Sequence, residues 1–272
     1  MKRKLKADKE IKLRAPTAPR AQERELSDIA TYMVEQISKR FRNQALEGLN
    51  KGTVEKFADA RQTGNYARVF IRLARAARQK LLRQFSDDRI EKLVEKIGNK
   101  ISDRNRKELY GLVEKRIGIN STELSNTEGL MTDMNALSLE TAQWVKKLRD
   151  ETLEMYTANS LRAMTHGESL EEIMSQFDGM VEKRKNHAKF TARNQIANFN
   201  SMATKMRAQN LGITKAVWVT SKDERVRECH KRRDGKEFEL DKGLYSACDG
   251  QWLLPGTDYQ CRCDYMLIVP EE

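Results

Sequence analysis

Apolar side chains recur at helical spacing along most of this chain. Leu26, Ile29, Met33, Ile37 and Phe41, with Ala30 and Val34 beside them, trace one face of an amphipathic helix. A second face runs from about Asn65 to Phe85 through Tyr66, Phe70, Leu73, Ala77 and Leu81. At ~100° per residue, Arg68, Arg72, Arg75 and Arg83 fall on the opposite side of that helix. Ser86-Asp87-Asp88 offers an N-cap for a third, carrying Ile90, Leu93, Val94, Ile97 and Ile101. Leu109, Leu112, Val113 and Ile117 add a short amphipathic piece. Residues 118–137, with Gly118, Asn120, Ser121, Asn126, Gly129 and Asp133, interrupt the period and read as a connector. The helical pattern resumes from Leu139 through Trp144, Val145, Leu148 and Met155 to Leu161, with Thr152 the polar member of the face, and pauses at His166-Gly167. Ser169 caps the next helix, with Glu172 three residues on. That short helix, over Leu170–Phe177, is expected to end near Gly179, and a longer one to span about Lys183–Asn210 and stop at Gly212.

Beyond Gly212 the pattern changes. Ala216–Val219 and Tyr265–Val269 are short apolar runs between polar or turn residues, as buried strands are. No proline lies between Pro19 and Pro255, so long helices are unobstructed there. The fold class expected is mainly α, with a multi-helix N-terminal and central region followed by a small C-terminal α+β module. In linear order this gives a basic flexible arm over 1–24, an N-terminal helical domain over 25–118, a connector over 119–137, a central helical region over 138–212 and a Cys/His module over 213–272.

No apolar run approaches the ~20 residues of a membrane helix. The basic start resembles a signal peptide, but Lys9, Glu10, Lys12 and Arg14 occupy the place of an apolar h-region, so synthesis and retention in a cytosol are expected. The net charge of +11 is not spread evenly: residues 1–80 hold 20 Lys+Arg against 9 Asp+Glu, and the remainder balances. That concentration points to one surface meeting a polyanion, most simply nucleic acid. The candidate contacts are Lys2, Arg3, Lys4, Lys6, Lys9, Lys12, Arg14 and Arg20 in the arm, and Arg68, Arg72 and Arg75 on the second helix. The plainer alternatives are a solvated tail and a solvated helix face. With no helix-turn-helix or similar reader, binding to double-stranded DNA is expected to be independent of sequence.

All 4 cysteines fall in the C-terminal module, where Cys229, Cys248, Cys261 and Cys263 accompany His230. In a cytosolic protein that density reads first as metal binding and second as disulfides. His230, Cys248, Cys261 and Cys263 form the candidate structural zinc set, with Cys229 as a substitute for Cys248 and a disulfide or reduced buried thiols as the other readings. If Cys261 to Cys263 is a strand, both sulfurs share a face. A metal-dependent DNA nuclease built on His230, Asp223, Asp234 and Asp258 is the main competing function. A DNA-binding accessory protein is the other. There is no phosphate-binding Walker loop, dinucleotide turn or nucleophile elbow, and no enzymatic activity is expected.

These residues also carry a family resemblance. Asp223-Glu224-Arg225-Val226-Arg227, then His230, Asp234-Gly235 and Pro255 through Cys263, resemble the signature of the phage Mu F-like minor head proteins, the head-morphogenesis family of tailed phages. Gly167-Glu168-Ser169-Leu170, Ala192-Arg193-Asn194-Gln195 and Trp218 fit in the same order, so the resemblance covers roughly Leu137 to Met266. Two positions depart from it. Arg227 stands where many relatives have the first cysteine of a Cys-x-x-Cys pair, with His230 at the second, and Asp258 stands where many have histidine. The resemblance implies a non-enzymatic virion protein associated with the portal protein inside the head, near the portal vertex. Major capsid or scaffold protein are further partners, and the implied role is in head assembly and genome packaging or ejection.

Overall fold

The computed structural model describes residues 11–50 and 60–270. The chain is mainly α-helical with a small sheet. In order it forms β1 (Lys12–Arg14), α1 (Arg20–Phe41), a π-helical turn (Arg42–Leu46), α2 (Glu47–Asn50), α3 (Ala60–Gln84), α4 (Asp87–Ile117), α5 (Ser121–Thr127), α6 (Met131–Thr165) and α7 (Leu170–Asn210). Then come β2 (Lys215–Val219), α8 (Glu228–Lys231), β3 (Glu237–Glu239), β4 (Leu244–Ser246), β5 (Gln251–Leu253) and β6 (Asp264–Ile268). No helix is long and apolar enough to cross a membrane, among the described residues.

Contacts divide the chain into two compact units, each assembled from separated stretches. A helical unit combines Arg24–Lys96 with Ser138–Ala192. A mixed unit combines the described residues through Glu23 with Ile97–Leu137 and the stretch from Arg193.

The helical unit is built on the stripes that the sequence displays. Leu26, Ala30, Met33, Val34, Ile37 and Phe41 of α1 are all buried, as are Phe70, Ala77 and Leu81 of α3. Phe41 sits at the centre, its ring 6.0 Å from Phe70, 5.7 Å from Tyr156 and 5.8 Å from Phe177. Each such aromatic pair contributes about 0.5–1.5 kcal/mol beyond the area it buries. The Tyr156 hydroxyl shares a 2.8 Å hydrogen bond with Ser38 Oγ, so the phenol is buried without losing its polar partner. Burial raises the Tyr156 pKa to about 12. At the junction of α3 and α4, Arg149 donates to the Phe85 carbonyl at 2.7 Å and to Asp87 Oδ1 at 2.8 Å. One guanidinium thereby satisfies a helix-end carbonyl and an N-terminal carboxylate together. Thr152 is fully buried: its hydroxyl donates to the Leu148 carbonyl at 2.6 Å and accepts from Arg184 at 3.1 Å.

The mixed unit carries an antiparallel sheet in the order β1-β6-β2-β3. Leu13 pairs with Leu267, Ala216 with Leu267 and Phe238, and Trp218 with Tyr265, so alternate side chains from all four strands enter one core. Leu109, Tyr110 and Val113 of α4 and Ala208 of α7 close that core. Arg207, also of α7, is buried beside it, ion-paired with Glu128 at 2.7 Å and donating to Asn105 Oδ1 at 2.8 Å and Ser102 Oγ at 2.7 Å. Asn105 in turn donates to Thr204 Oγ1 at 2.6 Å. A buried guanidinium is tolerated here because each of its three nitrogens has an acceptor.

Four expectations need correction here. Residues 12–14 are not part of a flexible arm: Leu13 is buried, and β1 is hydrogen-bonded along β6. Three residues of polar-apolar-polar alternation suffice for an edge strand but are too few to register as a period. The stretch read as a connector holds α5, whose first turn is capped by Asn120 Oδ1 accepting from the amides of Thr122 and Glu123, and α6 already begins at Met131. Gly179 does not end a helix, since α7 runs through it without a break. A glycine weakens a helix interior by only about 1 kcal/mol when packing holds the flanks. Cys261–Cys263 is not strand but the loop leading into β6. By contrast Gly212, at φ 75°, terminates α7 as expected, with the Ile213 amide reaching back to the Ala208 carbonyl. Ser169 and Glu172 exchange the reciprocal bonds of a capping box, at 2.7 and 3.2 Å.

Candidate functional site

Two short pieces of the mixed unit meet at a buried sulfur–imidazole cluster. The single turn α8 supplies His230, whose side chain is nearly inaccessible, and the loop before β6 supplies Cys261 and Cys263. Nδ1 of His230 lies 3.2 Å from Cys263 Sγ and 3.5 Å from Cys261 Sγ, and all three donor atoms fall within 4.8 Å of one another. On the far side of the ring, Nε2 lies 3.0 Å from Asp258 Oδ2. Asp258 also accepts from Arg227 at 2.8 Å. The two positions that depart from the Mu F-like pattern are therefore bonded to each other, and Asp258 orients the imidazole.

The loop is shaped around Cys261. The amides of Gly256 and Cys263 both approach its sulfur at 3.4 Å. Amide donors favour a charged sulfur over a neutral thiol, as a metal ligand requires. The hydrogen bond from Cys263, with further help from His230 and these amides, holds the Cys261 pKa down to about 5. Cys263 is pushed the other way, because it supplies the proton to Cys261 and is itself buried. His230 is raised chiefly by its bond to Cys261. Trp218 meets the His230 ring edge-on at 5.9 Å, and the buried Arg233 lies over Trp218 at 4.9 Å. The cluster is thus largely buried.

His230, Cys261 and Cys263 could hold a metal ion through one ring nitrogen and two sulfurs, with Asp258 as the carboxylate that fixes the ring from behind. Cys248 does not join them. It is paired with Cys229 in a disulfide, across Cα atoms 6.4 Å apart. His230 and Cys229 are sequence neighbours, yet the turn sends one side chain to the sulfur cluster and the other to the β4–β5 hairpin. A bridge over a separation of 19 residues contributes about 3 kcal/mol by constraining the unfolded chain.

The carboxylates of the nuclease reading are dispersed. Asp223 is bound in a fork by Arg262 at 2.6 and 2.8 Å, and Asp234 accepts from the Thr220 amide and hydroxyl at 2.8 and 3.1 Å. Among the described residues no group of three or more candidate ligands includes either one.

Residues 154–266 match the family model described as "Phage Mu protein F like protein". This part of the chain is similar to that family. An uncharacterized protein of Haemophilus influenzae is 29% identical over 202 residues, which are 72% of this chain and 44% of that relative. The chain therefore spans less than half the length of the relative it matches. No solved structure matches it.

The matched segment contains all the sulfur-cluster residues and the Asp223–Arg262 fork, and it begins 17 residues after Leu137, where the sequence motifs first suggested it. The basic residues singled out for DNA lie ahead of it. Lys2, Arg3, Lys4, Lys6 and Lys9 are outside the described residues. Lys12 and Arg14 are exposed on β1, and Arg20 is exposed at the start of α1. In the helical unit, Arg68, Arg72 and Arg75 are exposed along α3, and Arg78, which the sequence reading passed over, is exposed with them. Arg78 follows Arg75 by three residues and was legible from spacing alone.

Proposed function

We propose that this chain is a head-morphogenesis protein of a tailed phage, held in the virion by protein contacts at the portal and touching packaged double-stranded DNA through basic side chains. The observation that carries the reading is the Mu F-like match over residues 154–266, because it coincides with the stretch whose loop, turn and sheet build the sulfur cluster. Its role is structural rather than catalytic: Asp223, Asp234 and Asp258 are engaged by neighbouring donors instead of converging on one ion. Exposed arginines on α3 and basic residues before α1 suit sequence-independent phosphate contacts. The cofactor in this reading is one structural zinc ion on His230, Cys261 and Cys263, whose service is to tie α8 to the loop before β6.

Purified particles test the location. The chain should co-purify with DNA-filled heads, and cryo-EM should show its helices beside the portal on the inner side; heads lacking it altogether would refute the proposal. Zinc content is tested on the purified chain, with one equivalent expected and loss of the metal in Cys261→Ser. Two titratable thiols with no bound zinc would remove the metal from the account.

A further inference from the structure

We infer that a cleft in the mixed unit binds a compact phosphate group. The cleft has a volume of about 620 Å³, within the size range of small-ligand sites. Four arginines from different stretches of chain line it: Arg20 at the start of α1, Arg104 on α4, Arg193 on α7 and Arg262 in the loop before β6. The side chains of Arg104, Arg193 and Arg262 are 42%, 40% and 30% exposed, so their stems are packed while their heads remain reachable.

Their internal partners leave donors over. Arg104 engages Glu108 through Nε at 2.6 Å, and Arg262 engages Asp223 through its two terminal nitrogens. Arg193 has only a 3.9 Å approach to Glu23, and Arg20 has no ion-pair partner among the described residues. Glu23 and Asp264 are the carboxylates on the wall, and Asp264 lies 3.6 Å from Arg14 outside the lining. Because Glu108 and Asp223 offset Arg104 and Arg262, what the cleft offers an anion is the N–H donors that these carboxylates leave unspent, those of Arg20 above all. The guanidinium fork matches phosphate oxygens two at a time. Asn200, Ser201 and Ser221 line the same space, and Pro16, Ala197 and Pro255 supply apolar wall. Two sources share this chemistry: a free nucleotide, and the 5′-phosphorylated end of a DNA strand.

Calorimetric titration of the full chain separates them. Pyrophosphate is the first probe, followed by ATP and by one short oligonucleotide with and without its 5′-phosphate. Pyrophosphate should bind once per chain, and Arg20→Ala/Arg193→Ala should weaken it by about tenfold or more. Arg193→Lys, which keeps the charge and loses the fork, should fall between, and its unchanged melting temperature shows that the fold is intact. Arg68→Ala/Arg72→Ala/Arg75→Ala should bind pyrophosphate as the native chain does. That variant tests the DNA contacts of the head-protein reading, so the two ideas fail separately. Tighter binding of ATP than of the phosphorylated strand identifies a nucleotide site; oligonucleotide binding that requires the 5′-phosphate identifies a strand-end site. Absence of a saturable pyrophosphate site, or equal affinity in the double alanine variant, overturns the inference.

Discussion

The helical unit and the mixed unit solve the same burial problem with different materials. In the first, apolar stripes meet around Phe41, and the few buried polar groups, such as Thr152 and Ser38, bond mostly within their own helix, with Arg149 reaching from α6 to the ends of α3 and α4. In the second, a guanidinium, a carboxylate, two asparagines, two thiols and an imidazole are carried inside, each matched to a partner that sits far away in the chain. Apolar packing tolerates small misfits because it lacks direction. Buried polar groups do not, since one unmatched donor or charge costs the full desolvation of that group. The mixed unit should therefore be the more specific of the two and the easier to ruin by a single isosteric change.

Hydrogen exchange, read residue by residue, can break that comparison. The largest effect is expected from Phe41→Ala, which should destabilise the helical unit by about 3–5 kcal/mol through loss of transfer energy and the cavity left among Phe70, Tyr156 and Phe177. Slightly less, about 3 kcal/mol, is expected from Arg207→Met in the mixed unit, where Glu128 would remain buried without its partner. The companion Arg207→Met/Glu128→Gln should recover part of that loss, whereas no second polar change should rescue Phe41→Ala. If Arg207→Met lowers protection equally in both units, they unfold as one and the distinction fails.

The smallest effect concerns Tyr156. Tyr156→Phe loses one hydrogen bond to Ser38, worth about 1 kcal/mol at neutral pH. Because the phenol is raised to about 12 in the fold, against the ordinary 10.0, its contribution is fully present below pH 10 and is lost as pH rises toward 12. Alkaline melting curves should show this decline in the native chain. In Tyr156→Phe, the share of the decline that Tyr156 carries should be absent.

The same contrast explains what could be read in advance. The α1 and α3 stripes, the Ser169–Glu172 box and the Gly212 stop are written within a few residues of one another, and the structure follows them. Strands β2 and β6 were visible because their apolar runs, Ala216–Val219 and Tyr265–Val269, are four and five residues long. The three-residue β1 was not, for it becomes a strand only when Leu13 meets Leu267. The division of the cysteines was equally hidden. Composition brought Cys229, Cys248, Cys261, Cys263 and His230 into one module, but only the turn at α8 decides that Cys229 faces Cys248 while His230 faces the other two. Arg207 and Glu128 carried no signal, as one charge in a helix and one in an apparent connector, 79 positions apart, look like solvent-facing residues.

Strand β1 also sets an order of manufacture. A ribosome delivers Leu13 long before Leu267, so this strand must wait, unpaired, while every helix is synthesised. The helical unit has all its residues by Ala192 and can condense during that interval; the mixed unit cannot close until β6 arrives. A message broken upstream of β6 would thus yield a product with a folded half and a loose leading segment, a form that cellular proteases distinguish readily from the finished molecule.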